Sequence, residues 1–317
     1  MLNRRSFSAA VAGGITAAAY GASAKLPTAN GPQFIVAALT MMDAKGRLDD
    51  AMNRDYLAHL AADGADGALV MGTTGEFASF SVKERKQALE STLKHKKALN
   101  VMCQVGAGNV PETLELMEHA TSAGADSVLV LPPYYYKNPS VDGLAAFFEP
   151  VLRAAKLPVL VYNIPQLSGS PITPELLRKL QSFDRLYGMK DSFSKVDAMV
   201  AFLREFPKLK ILTGVHGNIE ANLKNQGAGG LTGNGSVFVK ETAAIFQAHR
   251  QGKDVTDLQR KLNEAATALL SGYDGVPAMK YALTFMGLKE SGVRPPFVSL
   301  TDGKRKEIAE RWKKLRG

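Results

Sequence analysis

Cysteine is nearly missing from this chain. Among 317 residues there is one, Cys103, so no intrachain disulfide can form. In the apolar run "NVMCQV" its thiol reads as a small buried hydrophobe. A long hydrophobic run is missing too. The apolar stretch over residues 9–19 is short and rich in Ala and Gly, well below the roughly 20 residues that a membrane span needs. No cysteine follows it, which excludes a lipoprotein anchor. Residues 30–317 hold no linker-like or low-complexity segment, which argues for one domain. Acidic excess is also lacking, since the net charge is +9. Part of that charge sits in the tail "GKRKEIAERWKKLRG". There, interleaved acids and the apolar face of Trp312 predict a solvated amphipathic helix rather than a nucleic-acid surface. With 45% apolar and 22% charged residues, the remainder reads as an ordinary soluble globular protein.

The N-terminus "MLNRRSFSAAVAGGITAAAYGASA" has two arginines, a weakly apolar stretch and then Ala22, Ser23 and Ala24. A positive region, a short apolar region and a small-residue cleavage site make an export signal. "NRRSFSA" also resembles the twin-arginine signal of bacteria. Residues 1–24 are therefore expected to be removed, leaving a chain that is periplasmic or otherwise exported by the twin-arginine route, without a membrane anchor. The alternative is a disordered or helical N-terminal tail.

Beyond residue 30, short apolar runs alternate with longer amphipathic ones. Strands are predicted at 34–39, 68–71, 100–105, 127–131, 158–162, 186–190, 210–213 and 230–233. Strands about 30 residues apart with helical periodicity between them read as βα units around a parallel sheet. "DGADGALVM" from Asp63 and "AGADSVLVL" from Ala123 repeat a helix-ending glycine, a turn and a strand, and "QGAGGLTG" from Gln226 echoes them. The fold class is α/β: eight strands fit a (β/α)8 barrel, with an open doubly wound sheet as the alternative. Strands and active site occupy 25–236. The last barrel helix and a C-terminal helical extension occupy 237–317.

In such a barrel the active site lies at the C-terminal ends of the strands. Four features fall on that rim: "GTTGEF" (72–77), "PPYYYKNP" (132–139), Tyr162 in "VYNIPQLSG", and Lys190 in "LYGMKDSFSK". Burying a lysine at a strand mouth is costly unless it is paired or neutralised. One reading pairs Lys190 with Asp191 in a salt bridge. The other makes it an amine nucleophile, its pKa lowered by burial, forming a Schiff base that acts as electron sink. Tyr162 would then relay protons. The glycines and hydroxyls of "GTTGEF" would cradle a carboxylate, although the same motif also reads as a turn and helix start, with Glu76 favouring the helix dipole. "GAGNVPE" (106–112) reads as a helix start capped by Asn109, with Pro111 in the first turn. His216 and Asn218 after strand 7, and Asn234 after strand 8, are either loop residues or contacts to the distal part of a substrate.

"GTTGE", "PYY", "YNIP" and "GMKDS" stand here in the order found in the dihydrodipicolinate synthase / N-acetylneuraminate lyase family of class I (Schiff-base) aldolases. The chain resembles that family from about residue 33 to 300. The resemblance implies a (β/α)8 barrel with a C-terminal helical extension, assembled as a tetramer of two dimers. It implies no cofactor or metal, because catalysis runs through a covalent imine. By position, Lys190 resembles the Schiff-base lysine, Tyr162 the catalytic tyrosine, Thr73 the relay threonine, and Thr74 (with Gly75) the carboxylate binder. Tyr135 resembles the tyrosine lent to the neighbouring subunit, with Tyr134 and Tyr136 as alternatives.

The synthase branch that condenses pyruvate with aspartate semialdehyde carries an arginine where this chain has Leu167, in "YNIPQLSG". Without it a bidentate clamp for a second carboxylate is lost. "YNIPxLSG" more closely resembles the sialic acid lyases and the 2-keto-3-deoxy sugar acid aldolases and dehydratases, which implies as substrates 2-keto-3-deoxy sugar acids or a sialic-acid-like 2-oxo acid, cleaved or dehydrated with pyruvate released or used. The alternatives are 4-hydroxy-tetrahydrodipicolinate synthase and a non-catalytic sugar-acid binding protein. Lys137 is the fallback cation.

Overall fold

A computed structural model describes residues 31–193 and 195–317; the export signal expected at residues 1–24 lies outside the described residues. The strands are β1 (Gln33–Ala37), β2 (Gly67–Val70), β3 (Asn100–Gln104), β4 (Ser127–Val130), β5 (Val159–Asn163), β6 (Leu186–Asp191), β7 (Lys210–Thr213) and β8 (Gly229–Thr232). They pair in parallel in chain order and close with β1 against β8. The doubly wound alternative is thereby excluded. Strands of a parallel barrel are buried on both faces, and each of these has a nearly continuous buried pattern.

Helices follow the strands: α1 (Asp50–Ala62), α2 (Val82–His95), α3 (Val110–Ala123), α4 (Val141–Ala154), α5 (Pro165–Ser168), α6 (Pro174–Leu180), α7 (Val196–Glu205), α8 (Ile219–Lys224) and α9 (Val239–Arg250). Their starts are written in the sequence. Ser81 and Glu84 form a reciprocal capping box at α2. Asn109 caps α3 with Pro111 in its first turn, as read from the sequence. The repeat has a structural reason. Gly64 and Gly124 both take positive φ at helix ends. Asp66 Oδ2 then accepts from Phe34 N, and Asp126 Oδ2 from Val101 N, each at 2.8 Å. One aspartate per repeat thus satisfies the second N–H group of a neighbouring strand.

The extension comprises α10 (Thr256–Leu270), α11 (Gly275–Ala282) and α12 (Asp302–Arg316). It joins a second apolar cluster with α1 and α9. Trp312 stacks on Phe285 with ring centroids 5.3 Å apart, and the arginines of α12 pair with Glu241, Glu290 and Glu307. This is the solvated amphipathic helix read from the tail. Cys103 is buried, and burial pushes its thiol up to about 12, which makes it a packing group. No helix among the described residues is long and apolar enough to cross a membrane.

Candidate active site

β5 and β6 place Tyr162 directly opposite Lys190 in register. Both side chains turn into the barrel mouth, 2% and 3% exposed. Lys190 Nζ lies 4.3 Å from the centroid of the Tyr162 ring, a cation–π contact. The salt bridge to Asp191 is not formed. Successive residues of a strand face opposite ways, and Asp191 Oδ1 instead accepts from Asn163 Nδ2 at 2.8 Å and Phe193 N at 3.1 Å. Burial raises the Asp191 carboxyl to about 6, against these two hydrogen bonds.

Tyr162 sits in a short polar chain. Its hydroxyl is 3.5 Å from Thr73 Oγ1 and accepts from Ser192 Oγ at 3.5 Å. Burial pushes the phenol up. The Lys190 charge, with the contacts to Ser192 and Thr73, more than offsets this, so the net shift is downward. A phenol lowered toward neutrality is a better proton shuttle. Thr74 enters the same cavity, close against Gly233, where an added Cβ would stand 2.7 Å from Thr74 Oγ1. Gly75 is not among the cavity-lining residues; its carbonyl accepts from Thr40 Oγ1 at 2.6 Å. The expected service of Glu76 to a helix dipole is also corrected. A short 3-10 helix (Phe77–Ser79) does start after Glu76, but the Glu76 side chain makes no cap there; it sits in left-handed backbone with its carboxylate buried against Lys280.

The cavity measures about 300 Å³. Among the described residues, Lys190 is the one of formal charge in its wall, which otherwise presents hydroxyl, amide and imidazole groups. His216 and Asn234 both line it, with Asn234 Nδ2 3.0 Å from His216 Nδ1. An amide nitrogen only donates, so Nδ1 accepts and Nε2 carries the proton. Burial lowers the His216 pKa, which keeps the ring neutral. Asn218 is buried nearby without lining the cavity. A second cavity of about 410 Å³, between α1 and α2, shares none of these residues.

Two sequence-expected residues lie elsewhere. Leu167, on α5, is 58% exposed and forms no part of the wall. Lys137 cannot stand in for the missing arginine as it lies. Its Nζ donates to Tyr134 O at 2.6 Å and also reaches the carbonyls of Leu167 and Ser168 at the end of α5. Tyr135 and Tyr136 are 78% and 77% exposed, with their rings edge to face at 5.3 Å. Tyr134 instead packs edge-on against Phe77, which leaves Tyr135 and Tyr136 as the tyrosines free to reach outward.

Ser192, Gly214 and Gln166 also line the cavity, although sequence reasoning gave them no role. A side chain at Gly214 would collide with Ser192 Oγ and lie 3.1 Å from Lys190 Cε. Gly214 thus leaves the space in which Lys190 extends. Gln166 Nε2 donates to Ser192 O at 2.9 Å. The usable signal for Ser192 was the strand alternation, which sends positions 190 and 192 to the same face. Among the described residues, no group of three or more His, Cys, Asp or Glu side chains could hold a metal ion.

Comparison with known proteins gives the same picture. Residues 32–315 match the model of the dihydrodipicolinate synthetase family. An uncharacterized DapA-like lyase of Chloroflexus aurantiacus is 36% identical over 252 residues, 78% of this chain and 84% of that one. The 4-hydroxy-tetrahydrodipicolinate synthase of Bartonella tribocorum is 31% identical over 285 residues, 87% of this chain and 95% of its own. Among solved structures, YagE of Escherichia coli K12, a prophage protein of the dihydrodipicolinic acid synthase family in complex with pyruvate, superposes with a TM-score of 0.84 at 26% identity. It covers 90% of this chain and 98% of its own. The chain belongs to the dihydrodipicolinate synthetase family and is a Schiff-base lyase.

Proposed function

We propose that the enzyme acts on 2-keto-3-deoxy sugar acids or a sialic-acid-like 2-oxo acid, as an aldolase or dehydratase, with Lys190 as the Schiff-base residue. The observation that carries this reading is the cavity wall. Among the described residues its single formal charge is the candidate nucleophile, and its other polar groups are neutral. A second substrate carboxylate would be buried there unpaired, which is costly. Hydroxyl groups would find partners in His216, Asn234 and Gln166.

In the aldolase direction, neutral Lys190 attacks the C2 carbonyl of the substrate, Tyr162 gives its phenolic proton to the departing hydroxyl, and water leaves, giving a protonated imine. Thr74 holds the C1 carboxylate, and Thr73 serves Tyr162 as its proton relay. Tyr162, as phenolate, takes the proton of the C4 hydroxyl. The C3–C4 bond breaks, its electrons enter the iminium as an enamine, and the aldehyde half departs. Tyr162 then returns the proton to C3, and water hydrolyses the imine to release pyruvate and neutral Lys190, its surplus proton passing back to the Tyr162 phenolate.

The name of the Bartonella relative supports a second reading, condensation of pyruvate with aspartate semialdehyde. That reaction needs a cation for the second carboxylate, and neither Leu167 nor the carbonyl-bound Lys137 supplies one. A non-catalytic binding role leaves the paired Lys190 and Tyr162 without a purpose. A substrate panel separates the readings. Neutral sugar acids are expected to give a higher kcat/KM than pyruvate with aspartate semialdehyde; the reverse order would overturn the assignment.

Two further parts of the proposal concern the whole enzyme. The exposed tyrosine pair fits an isologous dimer in which Tyr135 reaches the partner's site, with two dimers forming a tetramer. The arginine-led N-terminus fits export by the twin-arginine route.

A further inference from the structure

The loop that carries Thr73 and Thr74 is bounded by two non-glycine residues in left-handed backbone, Met71 at φ 57° and Glu76 at φ 58°. Such conformations persist only where the surroundings enforce them. At Met71 the enforcement is packing, since its side chain is fully buried in the core. At Glu76 it is electrostatic. Glu76 N donates to Thr73 O at 3.0 Å, closing the turn. Its carboxylate leaves the catalytic rim and enters the C-terminal extension. Oε2 accepts from Arg294 N at 3.0 Å, and Oε1 is 2.6 Å from Lys280 Nζ on α11. Both side chains are sealed from solvent, at 0% and 1% exposure. The Lys280 contact is an ion pair by distance, without the alignment of a hydrogen bond.

The neighbours brace this pair. Lys280 Nζ also donates to Gly292 O at 2.6 Å. Arg294 donates Nε to Gly46 O, Nη1 to Ser79 O and Nη2 to Glu84 Oε1, with its guanidinium 4.0 Å from the centroid of the Phe80 ring. Burial pulls the Lys280 ammonium down to about 8, with Glu76 opposing that shift. A buried ion pair is weak evidence for added stability and is often dispensable to folding. Something other than stability explains a pair at this place, one residue past the hydroxyl loop.

We propose that Glu76 and Lys280 are positioning residues: their buried pair anchors the exit of the 72–75 loop to α11 and so sets where Thr73 and Thr74 stand against Tyr162. The inference rests on the Schiff-base reading of Lys190, and the test separates the two. Wild-type enzyme is first treated with pyruvate and borohydride; absence of a trapped adduct on Lys190 would overturn that reading, whatever the variants do. The Glu76→Gln/Lys280→Met double variant replaces both charges with neutral groups of similar size and is expected to fold. At saturating pyruvate and read at endpoint, it should trap pyruvate within about twofold of wild type, because Lys190 is untouched. Its kcat should fall about 10- to 100-fold and its KM rise, the usual scale for a misplaced catalytic group. Glu76→Gln alone keeps an oxygen for Lys280 and should show the same split at smaller amplitude. Wild-type kcat and KM in both variants would overturn the proposal. So would a loss of turnover matched by an equal loss of trapping, since a purely structural pair would give that result.

Discussion

Asp191 and Lys190 are neighbours in sequence with opposite surroundings. Lys190 faces the cavity, while Asp191 lies behind the strand in a place that disfavours its charge. Its carboxyl is raised from 3.8 to about 6 by burial. The sign follows from linkage: a group with a raised folded pKa gives stability present at low pH and lost as pH climbs through the window from about 4 to 6. At neutral pH the loss amounts to about 3 kcal/mol. Asp191→Asn keeps an oxygen for Asn163 and Phe193 and removes the charge. It is expected to be more stable than wild type at pH 7, with the advantage shrinking toward pH 4. Denaturant titrations at several pH values check this, and a pH-independent difference would contradict it. The sequence made Lys190 conspicuous because burying a lysine at a strand mouth is costly unless it is paired or neutralised; strand alternation turns it away from Asp191, its bland partner, and the motif order then supplied Tyr162 and Thr73. Ser192 and Gly214 stayed hidden, since a serine after a strand and a glycine after the next look like ordinary turn residues until the barrel closes around them. Leu167 was read from its place in a motif. Whether that place faces the cavity depends on how the chain leaves β5, which a motif does not state.

Elements were more legible than their side chains. Strands buried on both faces appear as apolar runs, so all eight could be found within a residue or two of their ends. Helix starts were marked by capping residues such as Ser81 and Asn109. The four-residue helix α5 was not foreseen, because one turn has no periodicity to detect; Pro165 at its start and Gly169 in left-handed backbone after it are its signals. The loop between β4 and α4 was legible only as tyrosine-rich. The structure divides its work, with Tyr134 packed on Phe77 and the other two outside. If Tyr135 serves a second copy, Tyr135→Phe should lower kcat while leaving the assembly intact. Mixing it with an inactive Lys190→Ala variant should then give hybrid dimers that recover part of the activity, since one site contains both wild-type residues. Full activity of Tyr135→Phe, or of a strictly monomeric enzyme in sedimentation, would contradict this assignment.

At the scale of the whole molecule, the barrel supplies the rim and the extension braces it. Residue spacing foretold both parts, but the tie between Glu76 and Lys280 spans 204 positions of sequence, and no local pattern encodes such a pairing. Export concerns the whole chain as well. Replacing Arg4 and Arg5 by lysine is expected to retain the protein in the cytoplasm, as cell fractionation would show, and unchanged export would exclude the twin-arginine route. The central claim is that Lys190 forms the imine. The most direct measurement is borohydride reduction in the presence of pyruvate, followed by peptide mass analysis. A reduced pyruvyl adduct on the peptide containing Lys190, absent in Lys190→Ala, is the expected result. An adduct on another lysine, or normal turnover by Lys190→Ala, would contradict it.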